Sequence, residues 1–149
     1  MKIGLISSSG GHLFKTLQLK PWWSQHQRFW VTSQSAKQYQ LPPQEKVYLG
    51  HFPENRHLTN FFRNFLLAWK ILLKERPQVL FSTGAGIAPP FFLVAKILGI
   101  KLIFLETFIL INHPTLSGKL VYPLSNLFLV QNQPMLTHYP RAKYFGQTL

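Results

Sequence analysis

An apolar segment near the N-terminus breaks abruptly into serines and glycines, and this junction constrains the fold more than any other stretch. Residues 2–7 predict a strand, the next residues predict a turn, and a helix is predicted from about Leu13. Strand, glycine-rich turn and helix in this order are typical of phosphate or sugar sites in Rossmann-like domains, because glycine lets a ligand approach free amides at a helix start. The candidate binding residues are Ser8, Ser9, Gly10 and Gly11. A tight turn that binds nothing is the alternative, and the G-x-G-x-x-G spacing of a dinucleotide site is absent.

Strands and helices are predicted to alternate along the whole chain. The predicted strands are 2–7, 28–32, 47–49, 79–82, 101–106, 127–130 and 142–145. The predicted helices are 13–20, 58–75, 90–98 and 134–139, and residues 119–124 are predicted to be a short helix or a turn. Residues 33–46 are predicted to be a loop and 53–57 a turn. This alternation predicts an α/β fold, with a parallel sheet covered by helices on both faces, and residues 1–149 are expected to form a single Rossmann-like domain.

Unusual loops follow three of the predicted strands, at residues 7–12, 83–90 and 106–118. In open parallel sheets ligands bind beyond the carboxyl ends of the strands. We therefore expect these three loops to meet at one edge and to form one site.

Two titratable residues on these loops are candidates for catalysis. His12 stands at a helix start, where the helix dipole favours the neutral imidazole that a general base needs; a capping or packing histidine is the alternative. Glu106 ends an apolar strand, where a carboxylate is rarely needed for stability. It could orient a sugar hydroxyl, accept a proton, or pair with Lys119 or His12, and a buried ion pair is the alternative.

The other two loops supply further candidates for substrate binding. Thr83, Gly84 and Gly86 belong to the second glycine-rich junction, where glycines would allow close approach of a ligand or simply form a tight turn. Ser117 and Lys119 flank Gly118 and could hold a phosphate, although the spacing of a P-loop is absent and ATP hydrolysis finds no support.

The charge balance predicts an anionic partner. Sixteen Lys and Arg residues stand against four glutamates, and the formal net charge is +12. The basic residues are scattered without a nucleic-acid-binding motif, so nucleic acid is not the expected partner. The chain contains neither aspartate nor cysteine, which excludes a D-x-D metal site and zinc-thiolate sites, and the histidines lack metal-ligand spacing, so no metal ligand is predicted. No signal peptide or membrane span is recognised.

The predicted helix 58–75 is amphipathic. Its predicted apolar face consists of Leu58, Phe61, Phe62, Phe65, Ala68, Trp69 and Leu72, and its opposite stripe of Thr59, Arg63, Lys70 and Lys74. One interpretation is a helix that covers the sheet and keeps a cationic side in solvent. The other is a helix that lies in a membrane interface with its cations near phosphates.

Three segments together resemble the Alg14-like oligosaccharide biosynthesis proteins. They are S-S-S-G-G-H-L at 7–13, S-T-G-A-G-I-A-P-P-F at 82–91, and E-T-F followed by L-S-G-K-L-V-Y-P-L and L-F-L-V-Q within 106–131. The resemblance implies a GT-B glycosyltransferase divided over two chains, of which this chain would be the N-terminal, acceptor-binding half. An Alg13-like partner would bind most of the UDP-sugar donor, and no cofactor is expected beyond this donor substrate.

The resemblance also implies the acceptor and the place of the reaction. A polyprenyl-diphosphate-linked sugar would be extended at the cytoplasmic face of a membrane, by a peripheral complex, with inversion and without a metal. His12 or Glu106 would be the base for the acceptor hydroxyl. A second hypothesis is a non-catalytic subunit that recruits or enhances a partner glycosyltransferase.

Overall fold

Seven strands and six α-helices alternate along residues 1–147, which the structure, a computed structural model, describes. The strands are β1 (Lys2–Ser7), β2 (Gln27–Thr32), β3 (Val47–Leu49), β4 (Val79–Gly84), β5 (Lys101–Leu105), β6 (Leu127–Val130) and β7 (Lys143–Tyr144). The helices are α1 (Gly11–Gln18), α2 (Lys20–Trp23), α3 (Gln34–Tyr39), α4 (Leu58–Glu75), α5 (Ala88–Ile97) and α6 (Leu116–Val121), with a 3₁₀ helix at Gln133–Thr137. The last two residues of the predicted domain lie outside the described residues.

All seven strands pair in parallel in the order β3-β2-β1-β4-β5-β6-β7. The order reverses at β1, so the connections that leave β1 and β4 diverge to opposite sides of the sheet. This point is where open α/β sheets bind their ligands. Ser7 at the end of β1 is level with Gly84 at the end of β4, so the two glycine-rich loops emerge side by side. The predicted Rossmann-like parallel sheet is confirmed.

Two apolar clusters cover the two faces of the sheet. On one face Phe29, Phe104 and Phe128 of the strands pack with buried residues of α4, α5 and α6. On the other face Trp30 and Phe81 pack with buried residues of α1, α2 and α3. Because strand side chains alternate between faces, each of the strands β1 to β6 supplies residues to both clusters. The sheet is thus buried on both sides, as its apolar strands predict.

The prediction that residues 33–46 form a loop is wrong in its first half. The structure places α3 there, and Ser33 caps it by accepting a hydrogen bond from the Ala36 amide at 3.2 Å. Ala36 is fully buried against the sheet. A serine cap and one buried alanine are enough to hold this short helix, although its glutamines and lysine show no apolar periodicity.

Other boundaries shift by a few residues. The chain remains helical through Pro21 in α2, because a proline in the first turn lacks only an amide that would be unpaired anyway. The predicted short helix or turn at 119–124 is the helix α6, which begins earlier, at Leu116, and ends at Val121. It begins at Leu116 because the Thr115 hydroxyl caps it by accepting from the Gly118 amide at 2.8 Å. The loop after β5 is correspondingly shorter than predicted. The predicted helix 134–139 is the 3₁₀ helix.

The predicted apolar face of α4 is buried only in part: Ala68 and Leu72 are buried, whereas Leu58 and Phe62 are exposed. The residues of α4 that are buried are Asn60, Asn64, Ala68, Ile71, Leu72 and Glu75. Three of these are polar, and each has a partner that replaces water. Asn60 donates to the Pro53 carbonyl, Asn64 exchanges two hydrogen bonds with the His51 backbone, and Glu75 pairs with Lys2 and Lys46.

This burial leaves an apolar stripe of α4 on the outside. Leu58, Phe62, Leu66 and Leu73 are 72%, 58%, 69% and 54% exposed. The predicted cationic stripe of Thr59, Arg63, Lys70 and Lys74 is exposed as well. The helix therefore covers the sheet with a partly polar face and presents to solvent an apolar stripe beside a cationic one. We call the four exposed apolar residues the α4 stripe.

Candidate functional site

A cleft of about 500 Å³ lies beyond the carboxyl ends of the strands, next to the reversal point of the sheet. Its walls are the loops after β1, β4 and β5, the segment 54–58 after β3, and the first turns of α4 and α6. The polar side chains along it include His12, Glu54, Arg56, His57, Thr83, Glu106, Thr115 and Ser117, and the apolar ones include Leu58, Phe61, Pro89, Leu116 and Leu120. The lining of the cleft thus includes both polar and apolar side chains.

His12 is held in a defined orientation at the start of α1. Its Nδ1 lies 2.8 Å from the Thr83 carbonyl oxygen. Because a carbonyl can only accept, the neutral ring carries its proton on Nδ1, and Nε2 keeps its lone pair. The Thr83 hydroxyl in turn donates to the His12 carbonyl at 2.8 Å, so the two loops are bonded in both directions. The arrangement gives the cleft an oriented imidazole that can accept a proton.

The two glycines after β4 allow close approach, and the groups that approach them are parts of this protein. Gly84 has a φ of +108°, and a Cβ there would come within 2.9 Å of the His12 ring. A Cβ at Gly86 would come within 2.7 Å of the Glu54 carbonyl oxygen. Both glycines are therefore required to bring the walls of the cleft together.

Glu106 is buried at the bottom of the cleft, with 1% of its surface exposed. Its carboxylate accepts hydrogen bonds from the Thr107 amide at 3.0 Å, the Thr115 hydroxyl at 2.9 and 3.0 Å, and the Tyr139 hydroxyl at 3.0 Å. Burial raises the pKa of Tyr139, and the neighbouring carboxylate raises it further, so this phenol stays protonated and donates. Within residues 1–147, neither His12 nor Lys119 is in ion-pair distance of Glu106. These contacts give Glu106 the environment of a positioning residue for the loop after β5.

The S-G-K segment divides between the cleft and the outer surface. Ser117 lines the cleft, whereas Lys119 is exposed and outside it. Gly118 is buried directly against Glu106, where a Cβ would overlap the carboxylate and lie 2.6 Å from the Tyr139 hydroxyl. The glycine therefore serves close packing of α6 on Glu106.

The serine and glycine turn after β1 has several internal bonds. Ser8 is 7% exposed and donates its hydroxyl to Glu54 in a short hydrogen bond. Gly10 has a φ of +76°, which favours glycine, and its amide donates to the Gln40 side chain at 3.1 Å. Gly11 begins α1 and lines a second, smaller cavity of about 210 Å³ on the other side of His12.

The cleft brings together most of the residues that the sequence predicts. His12, Thr83, Gly84, Gly86, Glu106 and Ser117 line it, and Ser8 contacts Glu54 on its wall. Ser9, Gly10 and Lys119 line neither of the two cavities.

The sequence analysis missed the contribution of the segment after β3. Glu54, Asn55, Arg56 and His57 all line the cleft. The rule that gathers loops at the carboxyl ends of parallel strands also applies to β3, so this segment could have been included.

No helix within residues 1–147 is both long enough and apolar enough to cross a bilayer. No group of three or more His, Cys, Asp or Glu side chains is placed to hold a metal ion there.

Solved structures with a similar fold include UDP-GlcNAc 2-epimerases and MurG. The chain superposes on UDP-GlcNAc 2-epimerase from Methanocaldococcus jannaschii, in complex with UDP-GlcNAc and UDP, with a TM-score of 0.79 and 15% identity, over 99% of this chain and 47% of that one. For MurG of Acinetobacter baumannii the TM-score is 0.74 with 15% identity, over 90% and 43%. The likeness establishes the fold, and the chain corresponds to less than half of each enzyme.

The curated proteins that are similar to this chain in sequence share one name. The UDP-N-acetylglucosamine transferase subunit ALG14 of Candida albicans is 34% identical over 89 residues, which are 56% of this chain and 41% of that protein. The subunit of the same name from Mus musculus is 27% identical over 116 residues, 68% of this chain and 54% of that protein. The chain spans about half the length of these relatives. Residues 53–148 also match the family described as "Oligosaccharide biosynthesis protein Alg14 like", and this chain belongs to that family.

Proposed function

We propose that this chain is the acceptor-binding subunit of a two-chain, UDP-sugar-dependent glycosyltransferase that extends a polyprenyl-diphosphate-linked sugar. The observation that carries the proposal is the oriented His12 in a cleft at the reversal point of the sheet, in a chain of the Alg14-like family. The chain corresponds to less than half of the two-lobed enzymes whose fold it shares. A second chain, the Alg13-like donor-binding subunit, would supply the other wall of the site.

His12 would act as the general base. Its Nε2 takes the proton of the acceptor hydroxyl while that oxygen attacks the anomeric carbon of the donor sugar. The bond from this carbon to the UDP oxygen breaks, and UDP leaves with the electron pair. Attack opposite to the leaving group inverts the anomeric centre. Stabilisation of UDP would come mostly from the partner chain.

The remaining predicted residues take supporting roles. Thr83 orients His12, and the backbone of Gly84 and Gly86 shapes the floor of the acceptor site. Glu106 would hold the loop after β5 in place, and Ser117 would contact the acceptor from the opposite wall.

The acceptor would reach the cleft from a membrane surface. The α4 stripe is exposed beside a cationic stripe, and Leu58 and Leu116 at the cleft are 72% and 62% exposed. An apolar surface flanked by cations suits the boundary between acyl chains and anionic head groups. We therefore place the complex peripherally on the cytoplasmic face of the membrane.

Reconstitution with the donor-binding subunit tests the catalytic role. We expect His12→Ala to reduce transfer from a UDP-sugar to a polyprenyl-diphosphate sugar by about 10²- to 10⁴-fold, with the complex still assembled. His138→Ala is the matched control, because His138 is exposed and outside the cleft. Unchanged turnover of the His12 variant would contradict the assignment.

A non-catalytic recruiting or enhancing subunit is the second candidate, and the α4 stripe is the observation that favours it. On this alternative, variants of the stripe lower transfer on membranes but not with a detergent-soluble acceptor, and His12→Ala changes neither.

A further inference from the structure

A second carboxylate faces the cleft, on the segment between β3 and α4. Glu54 is half-buried and lines the cleft together with His12. Its Oε1 accepts the short hydrogen bond from the Ser8 hydroxyl, and among residues 1–147 no group hydrogen-bonds its Oε2. One carboxylate oxygen is thus held by the protein, and the other is available to a ligand.

Glu54 and His12 are anchored to neighbouring residues of the same loop. The Ser8 amide donates to the Gly84 carbonyl at 3.4 Å, and His12 Nδ1 donates to the Thr83 carbonyl at 2.8 Å. The Glu54 carbonyl also packs over Gly86. The carboxylate and the imidazole are therefore positioned by the end of β4 and the loop that follows it, through these three contacts.

Glu106, the other carboxylate that lines the cleft, has no oxygen available to a ligand. Glu106 is 1% exposed, and both of its carboxylate oxygens already accept hydrogen bonds from protein groups. A sugar hydroxyl needs an acceptor with a free lone pair that solvent can reach. Of the two carboxylates, only Glu54 meets this requirement.

We propose that Glu54 binds the acceptor sugar by accepting a hydrogen bond from one of its hydroxyls, with Ser8 as the residue that positions the carboxylate. This inference rests on the proposed function and adds a binding residue to the same cleft. The hydroxyl bound by Glu54 fixes the sugar so that another hydroxyl meets Nε2 of His12. Binding, not proton transfer, is the role assigned to Glu54.

Equilibrium binding of a short-chain prenyl-diphosphate sugar to the reconstituted complex tests this without requiring turnover. We expect Glu54→Gln to raise the Kd, and the KM in transfer, by about ten- to a hundredfold, because a hydrogen bond to a charged acceptor is lost. The kcat at saturating acceptor should change much less. Thr59→Ala, at an exposed position outside the cleft, is the matched control and should bind like the unmodified complex.

Monodeoxy acceptors identify the bound hydroxyl. The acceptor that lacks the bound hydroxyl should bind the unmodified complex as weakly as the full acceptor binds the Glu54→Gln complex. That deoxy acceptor should bind the Glu54→Gln complex no more weakly still, because both changes remove the same hydrogen bond. Ser8→Ala should weaken binding in the unmodified chain but have no effect on a Glu54→Ala background, since Ser8 acts through Glu54.

Three outcomes overturn the inference. One is a Kd unchanged in Glu54→Gln, and another is additive losses in the Ser8 and Glu54 double variant. The third is a fall in kcat with an unchanged Kd, which would make Glu54 part of the chemistry. Failure of the unmodified complex to transfer sugar, with acceptor binding still sensitive to Glu54→Gln, would instead overturn the proposed function alone.

Discussion

Glycines around the cleft are required for different physical reasons. Gly10 and Gly84 have positive φ angles, which side-chain-bearing residues rarely adopt. Gly86 and Gly118 are required by space, because a Cβ at either position would meet the Glu54 backbone or the Glu106 carboxylate. At the residue scale, the shape of the site therefore depends on these glycines as well as on the side chains that line it.

Gly118→Ala should destabilise the fold. The added methyl group overlaps the Glu106 carboxylate and approaches the Tyr139 hydroxyl, so α6 must move away from β5. We expect a loss of about 1–3 kcal/mol in the free energy of unfolding, measured by urea denaturation. Gly11→Ala is the control, since a Cβ there meets nothing within 4 Å and its φ is not positive. Equal stabilities of the two variants would contradict the packing argument.

A buried carboxylate at the opposite edge of the sheet makes stability depend on pH. Burial acts to raise the pKa of Glu75, but its bonds with Lys2, Lys46 and Tyr48 outweigh this and lower the pKa from 4.5 to about 2. A carboxyl group whose pKa is lower in the folded state stabilises the protein above its unfolded pKa and loses that contribution as pH falls.

The unfolding free energy should therefore decrease by about 3 kcal/mol through Glu75 as pH falls from about 5 to about 2. Urea denaturation at a series of pH values measures this. Glu75→Gln cannot titrate, so its stability at neutral pH should be lower and its pH dependence shallower. Parallel pH profiles for the two proteins would refute the assignment.

At the scale of the element, α4 shows that an apolar stripe need not mark the buried face. Its inner face carries two asparagines that bond to the backbone at His51 and Pro53, which holds the segment leading to Glu54. Its outer face carries the α4 stripe. The inner face of α4 thereby helps to position Glu54, and its outer face carries the surface proposed to bind the membrane.

Phe62→Ser together with Leu66→Ser should weaken binding to vesicles of anionic lipid. Both side chains are more than half exposed, so their removal should cost little stability while reducing the apolar area available for insertion. We expect at least a tenfold lower partition coefficient in vesicle flotation. Thr59→Ser is the control on the same helix. Unchanged flotation of the double variant would rule out the α4 stripe as the membrane-binding surface.

At the scale of the whole molecule, the chain combines an open cleft with a large positive net charge. Its net charge is +12, and it corresponds to less than half of the length of each solved enzyme whose fold it shares. The charge favours association with phosphate-bearing lipids, and this contribution is screened by salt.

Transfer should require both chains and persist in the presence of EDTA. Neither this chain nor the donor-binding subunit alone should transfer sugar, because the reacting groups are divided between them. The proposed base is an imidazole and the chain has no aspartate for a D-x-D metal site, so we expect chelation of divalent ions to leave the rate unchanged. Transfer from a radiolabelled UDP-sugar to lipid measures both. Activity that disappears with EDTA and returns with a divalent cation would contradict the metal-independent mechanism.

The features that could be predicted from the sequence are those that depend on residues close together along the chain. Apolar runs that alternate with helical segments specify the parallel sheet, and the S-S-S-G-G-H turn and Gly84 mark places where the backbone needs glycine. The rule that loops after parallel strands share one edge then brings His12 and Glu106 to one cleft. These conclusions depend on local conformation and on topology.

Contacts between distant segments decided the rest. Ser8 meets Glu54 across 46 positions of the chain, Tyr139 meets Glu106 across 33, and α4 buries asparagines because loop carbonyls and amides lie opposite them. No pattern in one segment reveals which polar group another segment will bring to it. The sequence by itself therefore determined where the cleft is and that His12 lies in it. Only the tertiary structure decided that Glu106 is enclosed by hydrogen bonds while Glu54 faces the space where a sugar would bind.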